Sequence, residues 1–483
     1  MAIYVPPYRV DLERWCEWTG NDAAKTRAVV GHAFRMPGPD QNVYTLAANA
    51  VLRLIAQYDV DPRRVGYLAL GTESSIDNAA GAVIVRGLVD QALAVEGRSG
   101  LARDCEVPEF KHACLGGVYA LKGGLRYLAC DGHDRLAIAV SADIAEYARG
   151  SSGEPTQGAG AVAMLLETSP RLLELDLAMS GSASEYRGLD FRKPFLRFAG
   201  QTPGVHGRLN DLPVFNGKYS TDCYTDATLR ALDAMFARRG GPRTAYLRGL
   251  AAAFMHRPYH RMPRNAWATA YLAALGHDAA QGEGGAAREL DGYCAAAGVA
   301  RETVVREWQT GANPCTEDAL PADAYPASSA LLKAFRKSRA YEEMVDGKLQ
   351  IGSDAVMEFG NLYTAALPAW LAAGLDDAAA HDLELAGRDL LVLGYGSGDA
   401  AEAIPARVAP GWREAAHAMR FHDALNGAVD LDRNEYAALH DSGTLDGLRN
   451  TTLSGVVIDR VGTRDEHAFQ DFGIAYYRYC GHP

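Results

Sequence analysis

"EVPEFKHACLGGVYALKGGLRYLAC" (residues 106–130) places one cysteine, Cys114, between a strand-like run and a Gly-rich run. The apolar residues after this cysteine recur at helical spacing: Val118, Leu121, Leu125 and Leu128. Unpaired N–H groups and the positive end of the helix dipole lie at such a turn, so we predict that they lower the pKa of the thiol. The alternative is an inert core residue, because free cysteine is among the most buried residue types.

Apolar runs on both sides of this stretch predict strands that alternate with helices. "VGYLALGT" (65–72), "RLAIAV" (135–140) and "GAVAMLLE" (160–167) are short and apolar, whereas "YTLAANAVLRLIAQY" (44–58) has helical spacing. Such alternation is typical of an α/β fold with a mostly parallel sheet that is buried on both faces.

The second half of the chain repeats this pattern. A helix is predicted over residues 220–239, and β character returns at "RDLLVLGYGSG" (388–398) and "LSGVVIDRVG" (453–462). Residues 196–217 carry Gly, Pro and polar residues and predict a loop. The two halves share no sequence identity that we can detect, so the pattern suggests a duplicated fold without proving it.

These patterns divide the chain into two predicted halves. Residues 1–175 form the N-terminal half with the nucleophile, and residues 176–483 form the C-terminal half. Residues 276–355 are rich in alanine and charge, which predicts a helical insertion in the second half.

Composition indicates a soluble globular protein and excludes several functions. The 483 residues are 22% charged and 48% apolar with a net charge of −12, and no basic run points to nucleic acid. No apolar stretch is long enough for a membrane span and no signal peptide is recognisable, so we expect a reduced, cytoplasmic setting. The eight cysteines are Cys16, Cys105, Cys114, Cys130, Cys223, Cys294, Cys315 and Cys480. They form no CxxC pair, and no His cluster has zinc spacing, so no metal is expected.

Two other motifs carry candidate catalytic groups. In "LGTESSID" (70–77), Glu73 follows a buried strand, where a carboxylate beside apolar walls can act as acid or base; a capping or solvated glutamate is the alternative. In "AAAFMHRPYHRM" (251–262), His256 ends an apolar run and could polarise a carbonyl oxygen. A hydrogen-bonded core histidine is the alternative for His256, and His260 competes with it.

Glycines and an amide complete the set of candidates. Gly116 and Gly117 are expected to give a substrate room beside the backbone. "EFGNLYTAALPAWL" (358–371) places Asn361 before an apolar helix, and "GYGSGDAAEAI" (394–404) has a turn whose N–H groups suit an oxyanion hole.

Together, "GTESSID", "ACLGG", "SADIAEYARGSSGEPTQGAGAVAML", "DFRKP", "GKYSTDCY", "GNLYT" and "GYGSG" resemble the 3-hydroxy-3-methylglutaryl-CoA synthase family of the thiolase superfamily. The resemblance covers about residues 40–405 and is nearer to the bacterial mevalonate-pathway synthases than to the polyketide-branching ones. It implies a five-layered αβαβα fold from two thiolase-like halves, and condensation of acetyl-CoA with acetoacetyl-CoA followed by hydrolysis. Both thioesters are substrates, so no cofactor is implied, and a homodimer is expected.

The resemblance also implies roles for individual residues. Cys114 takes the acetyl group as a thioester, Glu73 removes a proton from its methyl group, and His256 binds the acetoacetyl thioester or keto oxygen. The implied substrate-binding residues are Asn361, Ser397, Asp143, Asp190 and Tyr363, and the candidates for the CoA phosphates are Arg257, Arg261 and Arg264.

Departures from the family keep two alternatives open. Leu115 stands where the family usually has a tyrosine, and "MHRPYHRMP" lacks the usual lysines. One alternative is a synthase that uses an acyl carrier protein in polyketide β-branching. The other is a non-catalytic binding protein of thiolase fold, which the presence of Cys114, Glu73 and His256 disfavours.

Overall fold

The computed structural model describes residues 1–75, 81–193, 212–313, 320–445 and 454–483. Numbered in chain order, the strands are β1 Ala2–Tyr4, β2 Tyr8–Asp11, β3 Ala33–Met36, β4 Val65–Gly71, β5 Glu109–Phe110, β6 Leu136–Ala145, β7 Gly158–Leu166, β8 Leu173–Leu175, β9 Gly181–Ser184, β10 Phe191–Arg192, β11 Val214–Phe215, β12 Ala252–Met255, β13 Asp389–Gly396, β14 Ala400–Val408, β15 Val429–Asp430, β16 Val456–Val461, β17 Asp465–Glu466, β18 Phe469–Gln470 and β19 Ala475–Tyr479. The α-helices are Leu12–Thr19, Ala23–Val29, Val43–Gln57, Gly81–Val95, Gly116–Cys130, Gly217–Arg239, Arg243–Gly249, Arg261–Ala280, Gly284–Ala297, Arg301–Thr310, Pro326–Phe335, Arg339–Tyr341, Gly347–Leu349, Ala366–Ala380, Trp412–His417 and Arg433–Ser442.

The first sheet contains the strands predicted at the start of the chain. Its order is β1-β7-β6-β4-β5. β4 is parallel to both β5 and β6, whereas β7 is antiparallel to both β6 and β1. The prediction of a mostly parallel sheet is therefore wrong, because β7 pairs antiparallel with both of its neighbours, and the parallel pairs are those of β4 with β5 and β6.

The second sheet repeats this arrangement. Its order is β12-β13-β14-β8, and β9 also pairs with β14. β12 is parallel to β13, and β13 forms an antiparallel hairpin with β14, as β6 does with β7. Although β8 precedes residue 176, it pairs with β14 of the second sheet. The duplicated fold is confirmed, while the division of the chain at residue 175 stays a prediction.

The helices form three layers around the two sheets, which confirms the five-layered αβαβα fold. Val43–Gln57 and Gly81–Val95 cover the outer face of the first sheet. Gly116–Cys130 and Ala366–Ala380 lie between the sheets and contact both, and Gly217–Arg239 covers the second sheet. The catalytic candidates therefore lie at the ends of the strands that enclose the central helices.

Two glycines let the central helix Gly116–Cys130 approach both halves. A Cβ atom on Gly116 would lie 2.7 Å from the carbonyl oxygen of Phe110, and one on Gly117 would collide with the Ser141 hydroxyl. The same Gly117 Cβ atom would lie 3.0 Å from the carbonyl oxygen of Thr364 in the second half. The expectation that these glycines make room for a substrate is wrong, because protein atoms fill that room.

The range predicted as an insertion, residues 276–355, is mostly helical where the structure describes it. Its helices pack beside Arg261–Ala280 through Leu290, Trp308 and Phe335. Of the loop predicted over residues 196–217, residues 196–211 lie outside the described residues, and Val214–Phe215 forms β11. Among the described helices, none has the length and apolar character that crossing a membrane requires.

Candidate active site

Cys114 lies where the sequence predicts it, between β5 and the central helix that begins at Gly116. Ala113, just before it, has a φ of 40°, which turns the chain sharply into the helix. The side chain is partly exposed to a cavity, and its Sγ atom lies 3.4 Å from Oε1 of Glu73. The thiol and the carboxyl group are therefore in hydrogen-bonding contact.

Asp143 holds the backbone that carries Glu73. Its Oδ1 atom accepts hydrogen bonds from the backbone N–H groups of Glu73, at 2.8 Å, and Ser74, at 3.0 Å. Its Oδ2 atom accepts one from the N–H group of Thr364 in the second half, at 2.9 Å. Asp143 is fully buried and is not part of the cavity wall. The structure thus places it behind Glu73, as a positioning residue, rather than at the substrate-orienting position that the resemblance implies.

The environment of the Cys114–Glu73 pair favours the protonated form of both groups. Burial raises the pKa of Glu73 to about 8, and the negative charge of Asp143 adds to this rise. Burial and the neighbouring charge of Glu73 raise the pKa of the Cys114 thiol well above its ordinary value. The predicted lowering of the thiol pKa is wrong, because desolvation and two nearby carboxylates outweigh the end of the helix.

His256 comes from the second half, directly after β12. Its backbone N–H group donates to the carbonyl oxygen of Leu393, at 2.8 Å, and its backbone carbonyl oxygen accepts from the Tyr224 hydroxyl, at 2.7 Å. The ring faces that of Tyr395, and Nδ1 has no hydrogen-bond partner among the described residues. Burial lowers the pKa of His256 to about 3, so the imidazole is neutral at physiological pH.

His260, the competing histidine, bonds to Arg257 instead of lining the cavity that holds Cys114. Its Nδ1 atom lies 2.7 Å from Nη2 of Arg257. Arg257 is itself buried: Nη1 donates to the carbonyl and hydroxyl oxygens of Ser353, both at 3.0 Å, and the guanidinium lies over the Trp370 ring. The prediction that Arg257 contacts a CoA phosphate is wrong, because its side chain points into the protein.

The other two arginines differ from each other in their surroundings. Arg261 is exposed at the first residue of its helix, whereas Arg264 pairs with the carboxylate of Asp346. Neither residue lines the cavity that holds Cys114. Their contact with CoA phosphates stays a prediction.

The "GNLYT" segment reaches the cavity from the second half. Gly360 has a φ of 75° and lies so close to Gln157 that a Cβ atom would collide with its carbonyl oxygen. This close approach lets the backbone N–H group of Asn361 donate a hydrogen bond to the carbonyl oxygen of Thr156, at 3.2 Å. It also places Asn361 and Tyr363 on the cavity wall. Asn361 Oδ1 accepts from the Tyr363 N–H group, at 2.9 Å, which fixes the amide.

Ser397 lies on the cavity wall, in the turn between β13 and β14. The N–H group of Gly398 bonds to Oδ1 of Asp399, and that of Asp399 bonds to the carbonyl oxygen of Glu185. The expected use of this turn as an oxyanion hole is therefore wrong for these two N–H groups, because protein oxygens already accept from both.

Asp190 lies one layer behind the cavity. It is fully buried, and its Oδ2 atom accepts from the hydroxyl of Tyr395, a residue of the cavity wall, at 2.9 Å. Burial and the charge of Asp399 raise the pKa of Asp190 to about 7. Asp190 thus acts on the cavity through Tyr395.

One group of described side chains has the composition of a metal site. Ligand atoms of Asp190, Cys223 and Asp399 lie within 4.8 Å of one another. Arg187 forms an ion pair with Asp399 at 2.6 Å, and Tyr395 bonds to both carboxylates. Arg187 and Tyr395 thus donate to Asp399, whereas Oδ1 of the buried Asp190 has no hydrogen-bond partner among the described residues.

The cavity has a volume of about 300 Å³ and is built by both halves of the chain. It brings together Cys114, His256, Asn361, Tyr363 and Ser397, while Glu73 adjoins it through Cys114. Several wall residues were not among the site residues predicted from the sequence: Tyr147, Thr156, Phe191, Phe215 and Tyr395. Some signal was present, because Tyr147 and Phe191 lie inside the motifs "SADIAEY" and "DFRKP".

This arrangement suits acyl transfer followed by carbanion chemistry. A thiol can accept an acyl group, and a carboxylate with a raised pKa beside it can remove a proton from that group. A neutral histidine can donate a hydrogen bond from its ring N–H group to a carbonyl oxygen.

Comparison with known proteins identifies chains of similar sequence and fold. The family model "Hydroxymethylglutaryl-coenzyme A synthase N terminal" matches residues 1–170. A hydroxymethylglutaryl-CoA synthase of Haloferax volcanii is 27% identical over 87% of this chain and 85% of its own length. One of Enterococcus faecalis is 36% identical over 36% of this chain and 43% of its own length.

Solved structures extend the similarity to the whole chain. The structure of MvaS in complex with 3-hydroxy-3-methylglutaryl coenzyme A has a TM-score of 0.73, is 27% identical, and covers 99% of this chain and 97% of its own. The curacin pathway HMG synthase in complex with acetyl donor-ACP has a TM-score of 0.68, is 19% identical, and covers 99% of this chain and 98% of its own. At this identity the likeness supports the fold alone.

Proposed function

We infer that this chain belongs to the hydroxymethylglutaryl-CoA synthase family, and on that premise we propose that it condenses acetyl-CoA with acetoacetyl-CoA to 3-hydroxy-3-methylglutaryl-CoA. The observation that carries this proposal is the 3.4 Å contact between Cys114 Sγ and Glu73 Oε1, on a cavity that His256 also lines. A nucleophile, a base and a carbonyl-binding group are thus placed around one small space. The non-catalytic alternative does not explain why all three meet there.

In the first step, Cys114 Sγ bonds to the carbonyl carbon of acetyl-CoA. The bond between that carbon and the CoA sulfur breaks, and CoA leaves as the thiol with the proton that Cys114 loses. A cysteine thioester suits the next step, because it keeps the neighbouring methyl group acidic.

In the second step, the Glu73 carboxylate takes a proton from the acetyl methyl group. The resulting carbon nucleophile bonds to the keto carbon of acetoacetyl-CoA, and the keto oxygen gains a proton to become the tertiary hydroxyl. We assign to His256 a hydrogen bond to the acetoacetyl oxygen, with Asn361 and Ser397 beside it. Water then cleaves the Cys114 thioester and releases a free carboxylate.

We further propose that the chain needs no cofactor, because thioester activation alone supplies the acidity of the methyl group. We also propose that it works in the cytoplasm as a homodimer. Free CoA thioesters suffice as donors, and the greater identity to MvaS than to the curacin synthase supports this choice.

Acetyl-CoA alone tests the first step. Intact-protein mass spectrometry should detect one acetyl group on the protein, and peptide mapping should place it on Cys114. Cys114→Ala should abolish both labelling and turnover, while Cys130→Ala, an exposed cysteine on the same helix, should retain both. Labelling of Cys114→Ala protein, or a label mapped to Cys105 or Cys130, would refute the assignment.

Comparison of donors tests the choice of carrier. Turnover with acetyl-CoA and acetoacetyl-CoA, without added carrier protein, is the expected result. Turnover only when the acetyl group is bound to an acyl carrier protein would instead establish the β-branching alternative. Light scattering at several concentrations measures the proposed dimer in the same preparation.

A further inference from the structure

Four aromatic rings enclose the space above the Cys114 thiol. We call Tyr147, Phe191, Phe215 and Tyr363 the aromatic box. All four line the cavity, and Cys114 packs against the apolar cluster that they form. Their rings meet edge to face: Tyr147 and Phe215 lie 5.6 Å apart, and Phe191 and Tyr363 lie 6.0 Å apart. Such contacts resist displacement, because aromatic rings in this geometry attract one another.

Two members of the aromatic box are held by a short antiparallel ribbon. Phe191 on β10 lies directly opposite Phe215 on β11, so both side chains point to the same face of the ribbon. Arg192 and Val214 form the other pair, and both are exposed. The ribbon thus directs two phenyl rings toward the cavity and its other pair toward solvent.

The wall behind these rings leaves them little room to retreat. Gly153 lines the cavity, and a Cβ atom on it would lie 2.7 Å from Cδ1 of Tyr147 and 3.1 Å from Cε1 of Phe215. Contacts this short mean that Tyr147 and Phe215 already pack against the backbone at Gly153.

We propose that the aromatic box disfavours acyl groups of four carbons on Cys114, and that Phe215 is the residue that sets this limit. The inference rests on the proposed function and adds the specificity of its first step. An acetyl group adds only a methyl group beyond the carbonyl carbon. A butyryl group carries two more methylene groups, which would extend toward the packed rings of the aromatic box. One extra methylene group in a hydrophobic pocket typically changes kcat/KM by about 10–200-fold.

The experiment measures acyl transfer to Cys114 with acetyl-CoA and with butyryl-CoA by time-resolved intact-protein mass spectrometry. The native protein should react at least about 100-fold faster with acetyl-CoA. Phe215→Ala should raise the ratio of the butyryl rate to the acetyl rate at least about tenfold. Val214→Ala is the matched control: it changes the neighbouring exposed residue on the same ribbon and should leave the ratio unchanged.

A second variant guards against loss of the fold. Phe215→Leu keeps an apolar side chain and should raise the ratio by a smaller factor than Phe215→Ala, with a melting temperature near that of the native protein. An unchanged ratio in Phe215→Leu and in folded Phe215→Ala overturns the inference, as does equal use of both donors by the native protein. If acetyl-CoA does not label native Cys114 at all, the proposed function fails instead, so the two failures are distinguishable.

Discussion

Glu73 in the first half and His256 in the second half are both ionisable groups at the end of a buried strand, yet burial moves their proton affinities in opposite directions. Burial raises the pKa of Glu73 to about 8 and lowers that of His256 to about 3. A free glutamate is ordinarily a stronger acid than a free histidine, so the usual order is reversed here. Desolvation favours the neutral form of each group, which is the acid for glutamate and the base for histidine.

This reversal supports the chemical roles that we propose for the two residues. The raised pKa of Glu73, to which the charge of Asp143 contributes, suits a group that gains and loses a proton near physiological pH. The lowered pKa of His256 keeps its imidazole neutral, and Leu393 and Tyr224 hold its backbone, which suits a hydrogen-bonding group.

The largest effect is expected from Glu73→Ala. Condensation should fall by about 10²–10⁴-fold, because the base for the methyl proton is lost. Acetylation of Cys114 should persist, because removing a carboxylate that raises the thiol pKa does not disfavour the nucleophile. The measurement combines acetyl labelling with steady-state turnover. A normal condensation rate in this variant would remove Glu73 from the mechanism.

A smaller effect is expected from His256→Ala. The kcat/KM for acetoacetyl-CoA should fall by about 10–100-fold, the range for loss of a buried hydrogen-bonding partner. Acetylation should be nearly unchanged, because His256 acts on the second substrate. His256→Gln, a neutral replacement with a donor, should recover part of the loss. If His256→Ala abolished acetylation instead, the histidine would belong to the first step.

The pH profile tests the raised pKa of Glu73. Because the base must be a carboxylate, the condensation rate should increase as pH rises through about 8. Asp143→Asn removes a negative charge that contributes to this pKa, so the rise should move to lower pH. The change should also lower the melting temperature, since the amide cannot accept all the hydrogen bonds that the carboxylate accepts. A rise centred below pH 6 in the native enzyme would contradict the assignment.

The smallest effect concerns the two arginines outside the cavity. Arg261→Ala should raise the apparent KM for acetyl-CoA by about two- to fivefold with little change in kcat, which is typical of an exposed charge that binds a remote phosphate. Arg264→Ala is the matched comparison one turn away, and its pairing with Asp346 predicts a smaller change. Acetyl-pantetheine, which lacks the nucleotide phosphates, should be insensitive to Arg261→Ala. Equal effects on both donors would exclude a phosphate contact.

The alternation of strands and helices was predictable because it depends on local patterns that repeat. Strands β4, β6, β7, β13 and β16 and the helices around them follow from apolar runs and helical spacing. The parallel or antiparallel pairing of β6 with β7 was not predictable from those patterns, since both orientations bury the same apolar residues. The burial of Arg257 was also not predictable from local sequence, which places an arginine beside a histidine motif and so suggests a surface cation. Its burial depends on contacts with Ser353, His260 and Trp370 in the folded chain.

The sequence by itself determined where strands and helices alternate, because the spacing of apolar residues is local, and its resemblance to a known family implied the five layers and the roles of Cys114, Glu73 and His256. Only the tertiary structure decided how those residues behave. Their pKa values depend on desolvation and on charges far away in sequence, as Asp143 lies 70 residues from Glu73. Likewise, the aromatic box joins residues from four separate segments, and only folding brings Phe191 opposite Phe215 above Cys114.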